Sequence, residues 1–164
     1  MQQNFALQLR HTVATRMWAL FRVPMIFWVR PWVQHLDEQK VVIKVPLRRR
    51  TRNHFHSLYL GTLVTGADLA SGLLAQHLVR LEGKGKVSLI FKDLRANFFR
   101  RCMSDTYFTC EDGQLMSELV QKTISTQSRC HETVRIVARC PDTDGDKVLA
   151  EFFLTLSLKY LGSS

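Results

Sequence analysis

Two hydrophobic periods alternate along the chain, and each change of period marks an element. From Lys40 to Val45 the apolar residues Val41, Ile43 and Val45 take every second position, which predicts a half-buried strand, the first in the chain. Pro46 and the run Arg48, Arg49, Arg50, Thr51, Arg52 end it, because proline has no ladder donor and like charges resist packing. Between Leu60 and Leu81 the spacing widens to three and four residues, and Leu63, Ala67, Ala70, Leu74, Leu78 and Leu81 predict one long helix. Glu82, Gly83, Lys84 and Gly85 should stop it, with glycine supplying the left-handed turn past a helix end. A second stripe on the same helix, Gly61, Thr65, Asp68, Gly72 and Ala75, places small residues around a single carboxylate. Such a face lets another backbone or a thin ligand come close.

The rest is mostly strand. Val87, Leu89 and Phe91 alternate, then Leu94, Ala96 and Phe98 resume on the opposite parity, so a bulge is expected near Lys92 and Asp93. Short strands are expected over Thr106 to Cys110 and Thr133 to Cys140, with a helix between them from Gln114 to Gln127. Val148, Ala150, Phe152, Leu154, Leu156, Leu158 and Tyr160 give seven consecutive matches to the strand period, the strongest such signal in the sequence. The intervening segment Asp142 to Asp146 looks like a calcium loop only at first sight. That loop needs glycine at its sixth position, whereas Gly145 is fourth from Asp142, so a hairpin turn is expected. Strands following one long helix predict an α+β fold: a curled, largely antiparallel sheet wrapped around a central helix, with N-terminal helices and one inserted helix.

Ahead of the first strand, Met17 to Val33 is the most apolar stretch, but Arg22, Pro24, Arg30 and Pro31 interrupt it well short of the ~20 clean residues that span a bilayer. Trp18, Phe21, Phe27, Trp28 and Trp32 alternate there with Arg16, Arg22 and Arg30, a mixture that settles at membrane interfaces. The blander reading is a pair of short helices broken at Pro24, packing these aromatics over the core or a subunit neighbour. The first residues, Met1, Gln2, Gln3 and Asn4, are polar and no short apolar run ends at a small-residue cleavage site, so no secretory signal is expected.

Composition narrows the class. With 164 residues, 46% apolar and 23% charged, the chain predicts a single domain over 1–164, with a helical segment over 1–34 and the sheet core over 35–161. The four cysteines stand at gaps of 8, 20 and 10 without a CxxC pair, which suggests reduced thiols and neither zinc nor a redox motif. Of the net charge of +9, residues 1–56 carry +8, from ten basic and two acidic side chains. A positive surface of this kind attracts phosphate as nucleic acid, anionic lipid or a phosphorylated cofactor, and composition does not choose among them.

The segment Arg52-Asn53-His54-Phe55-His56-Ser57-Leu58-Tyr59-Leu60-Gly61, with Asp68 beyond it, resembles the hotdog-fold thioesterases, and most closely the branch known as DUF4442. In phenylacetyl-CoA-type members an asparagine is followed six residues later by His-Gly-Gly, and that histidine nine residues later by an aspartate in the central helix; Asn53, Tyr59 and Asp68 keep both spacings. Asn97-Phe98-Phe99-Arg100-Arg101 is similar to the family's strand that ends in an aromatic and basic pair. Organisation matches over roughly residues 35 to 160. Tyr59 and Leu60 replace the histidine and first glycine, and the helix near Gln114 is absent from the simplest hotdogs.

The resemblance implies a hotdog fold and roles for particular residues. Asp68 would be base or nucleophile toward a thioester, its bland alternative being a solvated or capping carboxylate. Leu60 and Gly61 would offer backbone donors to the oxyanion at the helix N-terminus. Asn53 would position water or the thioester, or simply serve a turn, and Tyr59 would supply a hydroxyl or a wall. His54 and His56 have no Asp, Glu or Cys at ligand spacing, so no metal is expected, and no cofactor is implied. They also lack the proline and glycine that follow histidine in the fold's dehydratase branch. Family sites lie between subunits, so Asp68 of one chain would meet Asn53 and Gly61 of its partner in a homodimer, with a tetramer as a further option. Arg50 and Arg52, or Arg100 and Arg101, would hold the phosphates of coenzyme A or of a carrier arm.

Two functions from different classes follow. One is an acyl-CoA or acyl-carrier-protein thioesterase whose N-terminal helices roof a tunnel for a medium or long chain. The other is a noncatalytic acyl- or lipid-binding hotdog that touches an anionic membrane through those helices. The expected setting is the cytoplasm, with peripheral contact to the inner face of the membrane as an option. Nucleic acid is the least favoured partner.

Overall fold

The computed structural model describes residues 2–82 and 87–162. Helix α1 (Gln2–Arg22) leads through Val23 into the short α2 (Pro24–Val29), which closes with Arg30 in the left-handed region at φ 50°. Proline breaks the chain where expected, since its fixed φ suits the first position of a new helix and it has no N–H to donate into the old one. The preceding helix is not short, however: it runs 21 residues.

The first strand is also earlier than its periodicity announces. Strand β1 (Trp32–Leu36) pairs antiparallel with β2 (Val41–Val45), so the end of the segment read as helical belongs to the sheet. Only Val33 is buried in β1 and its register shifts between Val33 and His35, so no clean alternation marks it. Asp37 closes this hairpin by accepting the backbone N–H groups of Gln39 and Lys40, both at 2.8 Å.

The central helix α3 (Leu60–Glu82) matches its predicted span. The glycines expected to end it, Gly83 and Gly85, lie outside the described residues. Strands β3 (Val87–Phe98), β4 (Thr106–Cys110), β5 (Cys130–Arg139) and β6 (Ala150–Tyr160) follow, with α4 (Gly113–Thr126) between β4 and β5. Strand β3 shifts register between Phe91 and Asp93, the bulge that its change of parity demanded. A four-residue helical turn, α5 (Pro141–Asp144), makes the hairpin connection of β5 to β6, with Gly145 at φ 61°.

All pairings are antiparallel and the six strands lie in the order β1-β2-β4-β5-β6-β3, leaving β1 and β3 as edges. The sheet curls around α3, whose Ala67, Ala70, Leu74 and Leu78 meet Ile43, Phe108, Phe152 and Leu156 in the core. Closeness of approach decides one residue. A Cβ on Gly66 would collide with the buried ring of Phe108, so only glycine lets helix and sheet stand this near. The four cysteines carry free thiols, three of them buried.

Candidate functional site

The loop between β2 and α3 is fixed from within. Buried Thr51 donates its hydroxyl to the Pro46 carbonyl at 2.7 Å and accepts the Arg48 N–H at 2.8 Å. Its carbonyl accepts the Tyr59 N–H at 2.9 Å, and the Leu58 N–H bonds the Cys102 carbonyl at the same distance. Asn53 is the hub: its side-chain oxygen accepts the N–H groups of Phe55 and Ser57, and its amide donates to the Ser57 hydroxyl at 3.0 Å. These bonds commit its polar atoms to holding the turn that delivers Tyr59, Leu60 and Gly61 to the start of α3. His54 and His56 stand exposed on the outside of that turn.

Tyr59 caps the helix with its carbonyl, which accepts the Leu63 N–H at 2.9 Å. The backbone N–H groups of Leu60, Gly61 and Thr62 therefore precede the helical ladder, and among the described residues none has an acceptor. Tyr59 is half exposed and its ring lies over Gly61, where an added Cβ would come within 2.7 Å of Cε1. The positive end of the helix dipole thus carries free donors beneath an aromatic edge, an arrangement suited to an anion.

Asp68 lies on the same face of α3, two turns or about 10 Å further along the axis. No donor or cation among the described residues pairs with its carboxylate, and burial pushes its pKa above the ordinary value. It borders a cavity of about 480 Å³. Gly72 and Gln76 of α3 continue the floor, Thr15 and Trp18 of α1 and Ile26 of α2 form the roof, and Leu89 and Phe91 of β3 make a wall. His11, His77 and Arg80 gather at the other end, where burial first, then the proximity of His77, lowers the pKa of His11. The volume falls in the usual range for a small-molecule site, and the lining is mainly apolar with one unpartnered acid. Within one chain, the acid and the free amides are too far apart to act on a single carbonyl carbon, which needs both within about 3 Å.

The basic residues named from sequence do not converge on one place. Arg50 stacks over Trp28 at 5.8 Å and lines a separate hollow with Arg16, Arg30, Trp32, Arg48 and Arg49. Arg52 is exposed on its loop, Arg100 approaches Asp144 at 3.9 Å, and Arg101 covers the ring of Phe55 at 4.9 Å. Trp18 belongs to the N-terminal helices expected to roof a tunnel, whereas Thr15 of the roof and the far-end group His11, His77 and Arg80 carry no signal in the sequence. Nothing in local spacing links α1 to a face of α3 some sixty residues later; only the fold does.

Residues 12–156 match the model of a domain of unknown function, DUF4442. No curated protein matches the chain. Among solved structures, two proteins provisionally named thioesterases are similar. The one from Shewanella oneidensis has a TM-score of 0.74 and 13% identity over 97% of this chain and 99% of that one. The other, from Pseudomonas aeruginosa, has a TM-score of 0.73 and 18% identity over 91% and 95%. A thioesterase from Haemophilus influenzae aligns with a TM-score of 0.64 and 17% identity over 88% of both chains. At these identities the likeness establishes the architecture.

Proposed function

The chain belongs to the DUF4442 family and has the hotdog fold, and from that premise we propose that it is a thioesterase acting on acyl-CoA or acyl-carrier-protein substrates. The observation that carries this reading is Asp68, a carboxylate withdrawn from water, without a partner among the described residues, at the edge of an apolar cavity. Desolvation makes it a stronger base than a surface aspartate, which suits proton abstraction near neutral pH.

In the proposed reaction a water molecule, its proton taken by Asp68, attacks the thioester carbon. The carbon–sulfur bond then breaks, and the proton passes to the departing thiolate, leaving a carboxylic acid and a free thiol. Direct attack by Asp68 followed by hydrolysis of the resulting anhydride has the same balance. The free amides of Leu60 and Gly61 hold the oxyanion. Because these amides lie two turns from Asp68 of their own chain, the reading requires a second copy that sets them against the first chain's acid. Strand β3 supports such pairing: it is a 12-residue sheet edge whose Ile90, Leu94 and Phe98 are exposed. Asn53 acts as a positioning residue through its loop, and Tyr59 as a wall.

Thiol release from a panel of acyl-CoAs, with wild type and Asp68→Asn side by side, tests the reading. Turnover by wild type that the variant loses is expected; equal rates would remove Asp68 from the chemistry. The family histidine's replacement by Tyr59 keeps a second reading alive, a noncatalytic acyl binder. Copurifying lipid that is never turned over by wild type would select it.

A further inference from the structure

The face of α1 and α2 that turns away from the sheet is apolar and basic together. Val13, Met17 and Phe21 run along the outside of α1, and Met25 and Trp28 extend the strip over α2; Phe21 is 75%, Met25 65% and Trp28 61% exposed. Beside the strip opens the arginine hollow, about 830 Å³, in which Trp28 and Trp32 stand among Arg30, Arg49 and Arg50. An apolar strip of this extent on a folded chain marks an interaction surface.

We propose that this face docks on an anionic lipid bilayer, the hollow taking phosphate headgroups while Phe21, Met25 and Trp28 enter the interfacial layer. Charge decides the occupant. Residues 1–36 hold Arg10, Arg16, Arg22 and Arg30 and no acidic side chain. Arg48 is tied to Asp105 at 3.3 Å and Arg16 to the carbonyls of Pro31 and Arg30, but Arg30, Arg49 and Arg50 form no ion pair among the described residues. A second copy would bring the same arginines against themselves across a twofold axis, which like charge opposes. Anionic headgroups meet them with opposite charge, and tryptophan beside arginine is the composition of a membrane–water boundary. No helix among the described residues is long and apolar enough to cross a membrane, so the chain would lie on the bilayer. This inference stands apart from catalysis and holds for an enzyme or a binder alike.

Flotation of the full chain with vesicles of phosphatidylcholine, with and without phosphatidylglycerol, tests it. Binding is expected only with the anionic lipid and should fall as salt rises. Arg49→Gln with Arg50→Gln should weaken partitioning by about 25-fold, two residues at roughly fivefold each. Phe21→Ser with Met25→Ser should weaken it too while leaving thermal unfolding in place. Equal binding to both vesicle types, or to neither, would overturn the proposal. So would stripping of the protein from vesicles by excess coenzyme A, which would assign the hollow to a soluble phosphate. A fall in solution molar mass on Phe21→Ser with Met25→Ser would give the strip to a second copy instead.

Discussion

Helices α1 and α3 are nearly equal in length, 21 and 23 residues, yet they are built inside out relative to each other. In α3 the large side chains Leu74 and Leu78 are buried against the sheet, and Asp68, Gly72 and Gln76 line the cavity face. In α1 the buried positions are Thr12, Thr15 and Ala19, and the large apolar residues Val13, Met17 and Phe21 face out. The presence of large apolar residues on a helix therefore does not tell which side the sheet receives. For α3 the sheet supplies an obvious partner; for α1 it receives the side that carries hydroxyls, through a bond from the Val33 N–H to the Thr12 hydroxyl at 2.9 Å.

Substitutions on the two helices should separate them, the largest effects falling on α3. Asp68→Asn should cost hydrolysis about 10²- to 10⁴-fold, read as thiol release. The same change should stabilise the fold at neutral pH. Burial raises the carboxyl pKa in the folded state, so the native chain binds the proton more tightly than the unfolded one; stability is greatest below the unfolded value and is lost as pH rises through the folded one. Asparagine removes that loss, and wild type and variant melting curves should converge at low pH. By the same sign, activity should rise with pH along a limb displaced above that of an ordinary aspartate. An Asp68→Asn protein less stable than wild type at neutral pH would mean that the carboxylate has a partner.

Leu74→Ala, at a fully buried position, should cost about 2–5 kcal/mol in denaturant unfolding. Gly66→Ala should cost about 1–3 kcal/mol, because the buried Phe108 ring has nowhere to retreat. On α1 the order reverses: Thr12→Val, a loss of polarity at nearly constant shape, should cost about 1–3 kcal/mol by orphaning the Val33 N–H. Met17→Ser should stay within about 0.5 kcal/mol. If Met17→Ser matched Leu74→Ala, the outer face of α1 would have to be covered, and the contrast between the helices would vanish.

Legibility in the sequence followed the length and regularity of the pattern. Strand β6 and helix α3 repeat their period many times, and the bulge in β3 shows as a parity change between Phe91 and Leu94. Strand β1 stayed hidden because five residues with one buried side chain and a register shift leave no period to detect. The candidate site divides in the same way. Asp68, Tyr59 and Gly61 are neighbours along one helix and its cap, so a family resemblance carried by one short segment could name them. That N-terminal helices roof a space could be expected from their apolar composition, but which of their residues face Asp68 could not, since that is set by how α1 hangs over α3.

That suspension has an evolutionary consequence. Helix α1 rests mainly on α2 and β1, so the width of the space beneath it is set by supports at its sides rather than by whatever fills the gap. Ala14 and Thr15 project into that space. Exchanging them for bulkier or slimmer neighbours would resize the chamber while the frame stays put, so descendants of this scaffold could change cargo by a few substitutions without first having to solve the folding problem again.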